Sequence, residues 1–88
     1  MTTQITLKYP VLVNKVEVTE LNIRRPTVRD MKKFDLVGGD IQKMAVMAAT
    51  LASIPEDSVN MMDASDFMRV TGVITDFLDD SPTDGETL

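Results

Sequence analysis

Cysteine and histidine are both absent from this 88-residue chain. Without cysteine there is no disulfide, no thiolate metal site and no thiol nucleophile, and the redox compartment is left open. Without histidine the chain lacks the usual general base near neutral pH and the commonest zinc ligand. An enzyme made from this alphabet would depend on carboxylates, lysines or hydroxyls alone, so the composition reads as a non-enzymatic protein with no metal and no cofactor. Long apolar runs are missing too. Nothing approaches the ~18 consecutive apolar residues of a membrane span, and the opening MTTQITLKYP has no basic region before an apolar core. The expectation is a soluble protein of the cytoplasm.

What is present is a small chain with unevenly placed charge. At 88 residues it is a single domain, near the size where a lone core is only marginally stabilising. Residues 1–43 carry a net charge of +3 and residues 44–88 a net charge of −8. Five of the nine basic residues, Arg24, Arg25, Arg29, Lys32 and Lys33, fall within the stretch LNIRRPTVRDMKKF. Such polarity suits different partners at different faces, or follows simply from a basic helix and an acidic tail lying apart.

Apolar residues alternate at Ile5, Leu7, Tyr9, Val11 and Val13, which predicts a half-buried strand. Pro10 cannot donate to a ladder and belongs at an edge or a bulge. Asn14-Lys15 is a two-residue turn, and a second strand resumes at Val16 and Val18, then at Leu21 and Ile23, one residue out of phase. An extra residue at Thr19 or Glu20 would absorb that slip as a bulge. The hairpin thus covers 5–23.

Pro26-Thr27 ends the second strand and opens a helix over about 28–37. Thr27 is the predicted N-cap and Asp30 the carboxylate that reaches back. Val28, Met31, Phe34 and Val37 form its expected buried stripe, with Leu36 off it, and Gly38-Gly39 its C-cap. Asp40 is expected to cap a second helix over 41–53, with Ile41, Met44, Ala45, Ala48, Leu51 and Ala52 on one face. A short helix is expected at 55–61, opened by Pro55 and acids. Asp63-Ala-Ser-Asp66 repeats the capping pattern before an amphipathic helix over 64–78, whose apolar face is Phe67, Val70, Thr71, Ile74, Phe77 and Leu78. Gly72 inside that helix predicts close packing. Residues 79–88, acidic and turn-rich, read as a disordered tail. The fold class is α+β: one domain over 1–78, a hairpin followed by a small helical bundle.

No catalytic constellation emerges. The carboxylates at Glu56/Asp57 and Asp63/Asp66 stand where helix starts favour negative charge. Asp80 to Glu86 has neither the third ligand nor the twelfth-position glutamate of a calcium loop, and Gly38-Gly39 lacks the spacing of a phosphate loop. The basic group admits three readings: a nucleic-acid grip, a docking surface for an acidic protein, or a solvated helix face. The acidic net charge and the lack of interleaved aromatics speak against nucleic acid. Six internal methionines, Met31, Met44, Met47, Met61, Met62 and Met68, exceed ordinary packing needs and suit an adaptable apolar surface. Met47, Met62 and Met68 lie off the predicted stripes and are the candidates for exposure.

The runs ITLKYPV, EVTELNIRRPTVRDM and GGDIQKMAVMAATLASIPEDSVNMMDASDF, with the amphipathic helix to Leu78, resemble the small tail assembly chaperones of contractile-tailed, Mu-like bacteriophages. The resemblance covers positions 5 to 78. It implies a non-enzymatic assembly factor that binds the tape measure protein, keeps its apolar helices soluble, helps recruit tail tube protein and is absent from the finished virion. It also implies that a longer product can arise by ribosomal frameshifting near the end of the frame. No catalytic residue is carried over. The residues assigned to partner binding are Arg24, Arg25, Arg29, Met47, Met62 and Met68, with a homo-oligomer as a further option and neither nucleic acid nor membrane as partner. The alternatives are a small DNA-associated regulator or antitoxin using the basic helix, and a structural tail component.

Overall fold

Asn14 and Lys15 both take positive φ, 52° and 68°, the geometry that lets a two-residue turn follow the twist of its strands. In a computed structural model that describes residues 2–79, this turn joins β1 (Thr2–Val13) to β2 (Val16–Arg24) in a two-stranded antiparallel sheet. The hairpin is longer than the expected 5–23, since Thr2 already pairs with Arg24. Four helices follow: α1 (Val28–Phe34), α2 (Asp40–Ala52), α3 (Glu56–Asn60) and α4 (Ala64–Leu78). The α+β class holds. Residues 80–88, where most of the predicted disordered tail falls, lie outside the described residues.

The irregularity in the hairpin lies on the strand opposite to the one the sequence pattern indicated. Thr6 pairs with Glu20 and Val11 with Val18, so Leu7 to Pro10 face the single residue Thr19. The surplus belongs to β1, at the residue that lacks an N–H, rather than to Thr19 or Glu20. An odd surplus there compensates the one-residue phase change of β2. Ile5 meets Leu21 and Val11 meets Val18; Ile5, Leu21 and Val11 are buried and Val18 partly so. Tyr9, expected on the inner face, is turned out by the bulge and exposed.

The helices cover one face of the hairpin. Ile5, Leu7, Val11, Leu21 and Ile23 form one apolar cluster with Phe34 of α1, Ala45, Met47, Ala48 and Leu51 of α2, Val59 of α3, and Val70 and Ile74 of α4. A lone two-stranded ribbon is marginal in water, so this cover is what makes the strands stable. α4 runs back along β1: its Asp66 lies beside Lys8 and Tyr9, and Arg69, one turn on, beside Thr6. α3 is fixed near the turn by Ser58, whose hydroxyl donates to the Leu12 carbonyl at 2.8 Å.

Several helix faces differ from expectation for reasons of packing. α1 stops at Phe34, and its C-cap is Asp35 in a right-handed conformation, so Gly38-Gly39 does not terminate it. Gly39, at φ 86°, is instead the N-cap of α2, and Asp40 is the first helical residue. The buried side of α1 is Asp30 and Phe34, four apart, while Val28 and Met31 point to solvent. α2 is likewise rotated: Ile41 is exposed and Met47 enters the core. α4 keeps the predicted bounds, with Leu78 half-exposed and Val73 partly buried in its place. A methyl placed on Gly72 would meet nothing within 4 Å, so close packing does not explain that glycine.

Candidate partner-binding surface

The Arg-Arg-Pro-Thr joint is first a structural device. Thr27 accepts the Asp30 amide N–H at 3.3 Å, and the Asp30 carboxylate accepts the Thr27 N–H at 2.8 Å, closing a capping box. The same carboxylate receives both terminal nitrogens of Arg24, at 2.6 and 3.0 Å. That fork ties the last residue of β2 to the first turn of α1. The Arg24 bond, then the Thr27 N–H, hold the Asp30 carboxyl well below the usual carboxylate range despite its burial. Arg24 is raised in turn, chiefly by its bond to Asp30.

α4 repeats the arrangement with a longer reach. Asp63 caps it, accepting from the Ser65 hydroxyl and from the N–H groups of Ser65 and Asp66. Asp66, the third helical residue, does not stop at local capping. Its carboxylate, fully buried at 0% exposure, accepts the N–H of Lys8 at 3.1 Å, the N–H of Tyr9 at 2.9 Å and the Arg69 guanidinium at 2.7 Å. Burial opposes ionisation, but the Tyr9 N–H, Arg69 and the Lys8 N–H outweigh it, and the carboxyl stays below its ordinary range. Arg69 also donates to the Thr6 carbonyl at 2.6 Å. The bulge therefore supplies an amide pair, and α4 supplies the anion that fills it.

These bonds sort the arginines assigned to partner binding. Arg24 is committed to Asp30. Arg25 donates to the Phe77 carbonyl at 3.5 Å and lies 5.1 Å from the Phe77 ring centroid, so it bridges the joint to the end of α4. Arg29 is exposed on α1 with no internal hydrogen bond or ion pair among the described residues, and it remains open to a partner. The methionines sort differently from the prediction. Met47 is 3% exposed and Met62 is at the edge of burial, whereas Met68 is exposed as expected. Met61, which no pattern singled out, is 80% exposed.

Met62 is not lost to the interior, however. It lines a shallow groove of about 210 Å³ with Ile41 and Ala45 of α2, Val59 and Asn60 of α3, and Ala64 and Phe67 of α4. Only Asn60 among these carries a polar side chain. A second groove of about 330 Å³ lies between the hairpin and α3, with Pro10, Leu12 and Met61 on its walls. Periodicity within one element names the lining of neither groove, because each combines residues from separate elements. No group of three or more acidic residues among the described residues is placed to hold a metal ion. No helix among them is long and apolar enough to cross a membrane.

The chain is a small α+β module with two apolar grooves and a basic first helix. Residues 4–79 match the family described as phage tail assembly chaperone proteins, E, or 41 or 14, and the chain belongs to that family. No curated protein and no solved structure matches it.

Proposed function

We propose that this chain binds apolar helical segments of the tape measure protein, keeps them soluble, and helps bring tail tube subunits to them without catalysing any reaction. It acts in the bacterial host cytoplasm and leaves before the tail is complete. The observation that carries this reading is the groove between α2, α3 and α4. An amphipathic client helix lays apolar side chains into such a cleft, and Met62 adapts to their varied shapes. Ile41 at the rim and the exposed Met68 widen the apolar area offered to it. Membership in the chaperone family supports the role in tail assembly.

Co-expression with the tape measure protein tests the proposal. The client is expected in the soluble fraction, co-eluting with this chain in gel filtration, and Ile41→Asp is expected to weaken that complex while the chaperone stays folded. A client equally insoluble with and without the chain refutes it. Purified virions provide the second check: this chain present in every tail marks a structural component instead.

A further inference from the structure

The end of α4 is held beside the start of α1. Arg25, just ahead of α1 in the chain, donates to the Phe77 carbonyl at 3.5 Å and lies over the Phe77 ring, 5.1 Å from its centroid. Whatever follows α4 therefore leaves the fold next to α1. Arg29, Lys32 and Lys33, three and four apart, share one face of that helix. All three are exposed, and none is ion-paired among the described residues. Asp30 does not neutralise them, because it is buried and taken by Arg24. Asp35, the other acid nearby, stands past them at the C-cap. The sequence after α4 has the complementary charge: residues 80–88 include Asp80, Asp84 and Glu86, and neither lysine nor arginine.

We propose that the segment 80–88 folds back over α1 of its own chain, setting Asp80, Asp84 and Glu86 against Arg29, Lys32 and Lys33. The reach is sufficient. An extended chain covers about 3.3 Å per residue, so Asp80 to Glu86 spans roughly 20 Å, about twice the ~10 Å length of a seven-residue helix. The occupant is this segment, and not a separate acidic protein, because the Arg25–Phe77 contact delivers it to the face it matches in charge. Tethering over so short a span gives it an effective concentration on the order of millimolar. Each surface ion pair contributes little by itself, so the contact is shallow and sensitive to salt. A protein that offers more acidic groups displaces it, which makes α1 a masked surface that opens to competitors. The groove among α2, α3 and α4 has no part in this, so the proposal stands or falls separately from the binding of a client helix.

The lack of cysteine gives the test a clean background. A nitroxide on Gly85→Cys in the full chain broadens the amide signals of whatever it approaches. At low salt the signals of Arg29, Lys32 and Lys33 are expected to lose most of their intensity, while Asn14 and Lys15 at the far end of the hairpin keep theirs. Salt at about 1 M, where screening acts within ~3 Å, is expected to restore the α1 signals. So is the Arg29→Glu, Lys32→Glu double variant, with an unchanged circular dichroism spectrum. Isotope-labelled parent chain mixed with nitroxide-bearing unlabelled chain is expected to show no broadening, because the contact lies within one molecule. Sharp α1 signals at low salt, equal losses at the hairpin turn, or a loss that survives both salt and the double variant overturns the proposal. Broadening in the mixture overturns it by giving the face to a second copy. Signals that stay sharp in the chain alone but shift on adding hexaglutamate overturn it in favour of an external acidic partner.

Discussion

The carboxylate of Asp66 accepts the backbone N–H of Tyr9 at 2.9 Å, fastening the first turn of α4 to the bulge of β1. The Lys8 N–H and Arg69 share that carboxylate, so one buried side chain satisfies two strand amides and a guanidinium. Asp66→Ala strips all three at once. The Lys8 and Tyr9 amides lose their acceptor while Arg69 can turn to water, so the expected loss is about 2–4 kcal/mol in denaturant unfolding. A change below about 0.5 kcal/mol means that the bulge does not depend on Asp66.

Arg24 and Arg29 stand five positions apart in one basic cluster and separate cleanly by structure. Arg24→Ala removes a two-pronged bond to a buried carboxylate and is expected to cost about 1–3 kcal/mol. Arg29→Ala, exposed and without an internal bond, is expected to stay within about 0.5 kcal/mol of the parent. Equal losses in urea melts contradict the assignment of Arg24 to structure and Arg29 to the surface.

Acid reads the same two ties. Asp30 and Asp66 have folded-state pKa values below the ordinary aspartate value of 3.8, so the unfolded chain binds protons more readily than the folded one. Their contribution is complete above the ordinary carboxylate range and is lost as pH falls through 3.8 toward the folded values. Unfolding free energy should be level on this account near neutrality and decline below about pH 4. In the Asp30→Asn, Asp66→Asn double variant that acid slope should be shallower; an unaltered slope places the acid sensitivity elsewhere.

Gly72 occupies the interior of α4 with open space around it. Alanine there gains helix propensity without a clash, and Gly72→Ala is expected to stabilise the fold by about 1 kcal/mol, read as a raised thermal midpoint. A lowered midpoint contradicts the open environment described for this position.

Much of the fold was legible in LNIRRPTVRDMKKF and its neighbours, because caps and alternation act over three or four residues. The strand, the Asn14-Lys15 turn, the Thr27–Asp30 box and the bounds of α4 follow from local chemistry. A surplus residue in the hairpin was also legible from the phase change between Val18 and Leu21, though not its strand. Either strand can absorb an odd mismatch, and the proline together with Asp66 settles it on β1.

The sequence by itself determined the α+β class, the order of elements and the absence of histidine and cysteine chemistry. Tertiary docking decided which helix faces are buried. Periodicity gives a helix an apolar phase, but only the hairpin and the neighbouring helices determine how that phase is turned, which is why Met47 lies inside while Val28 and Ile41 face water. The same limit applies to Asp66. A carboxylate in the third position of a helix looks like a cap whether or not a distant pair of amides awaits it, and only the folded chain brings Lys8 and Tyr9 within its reach.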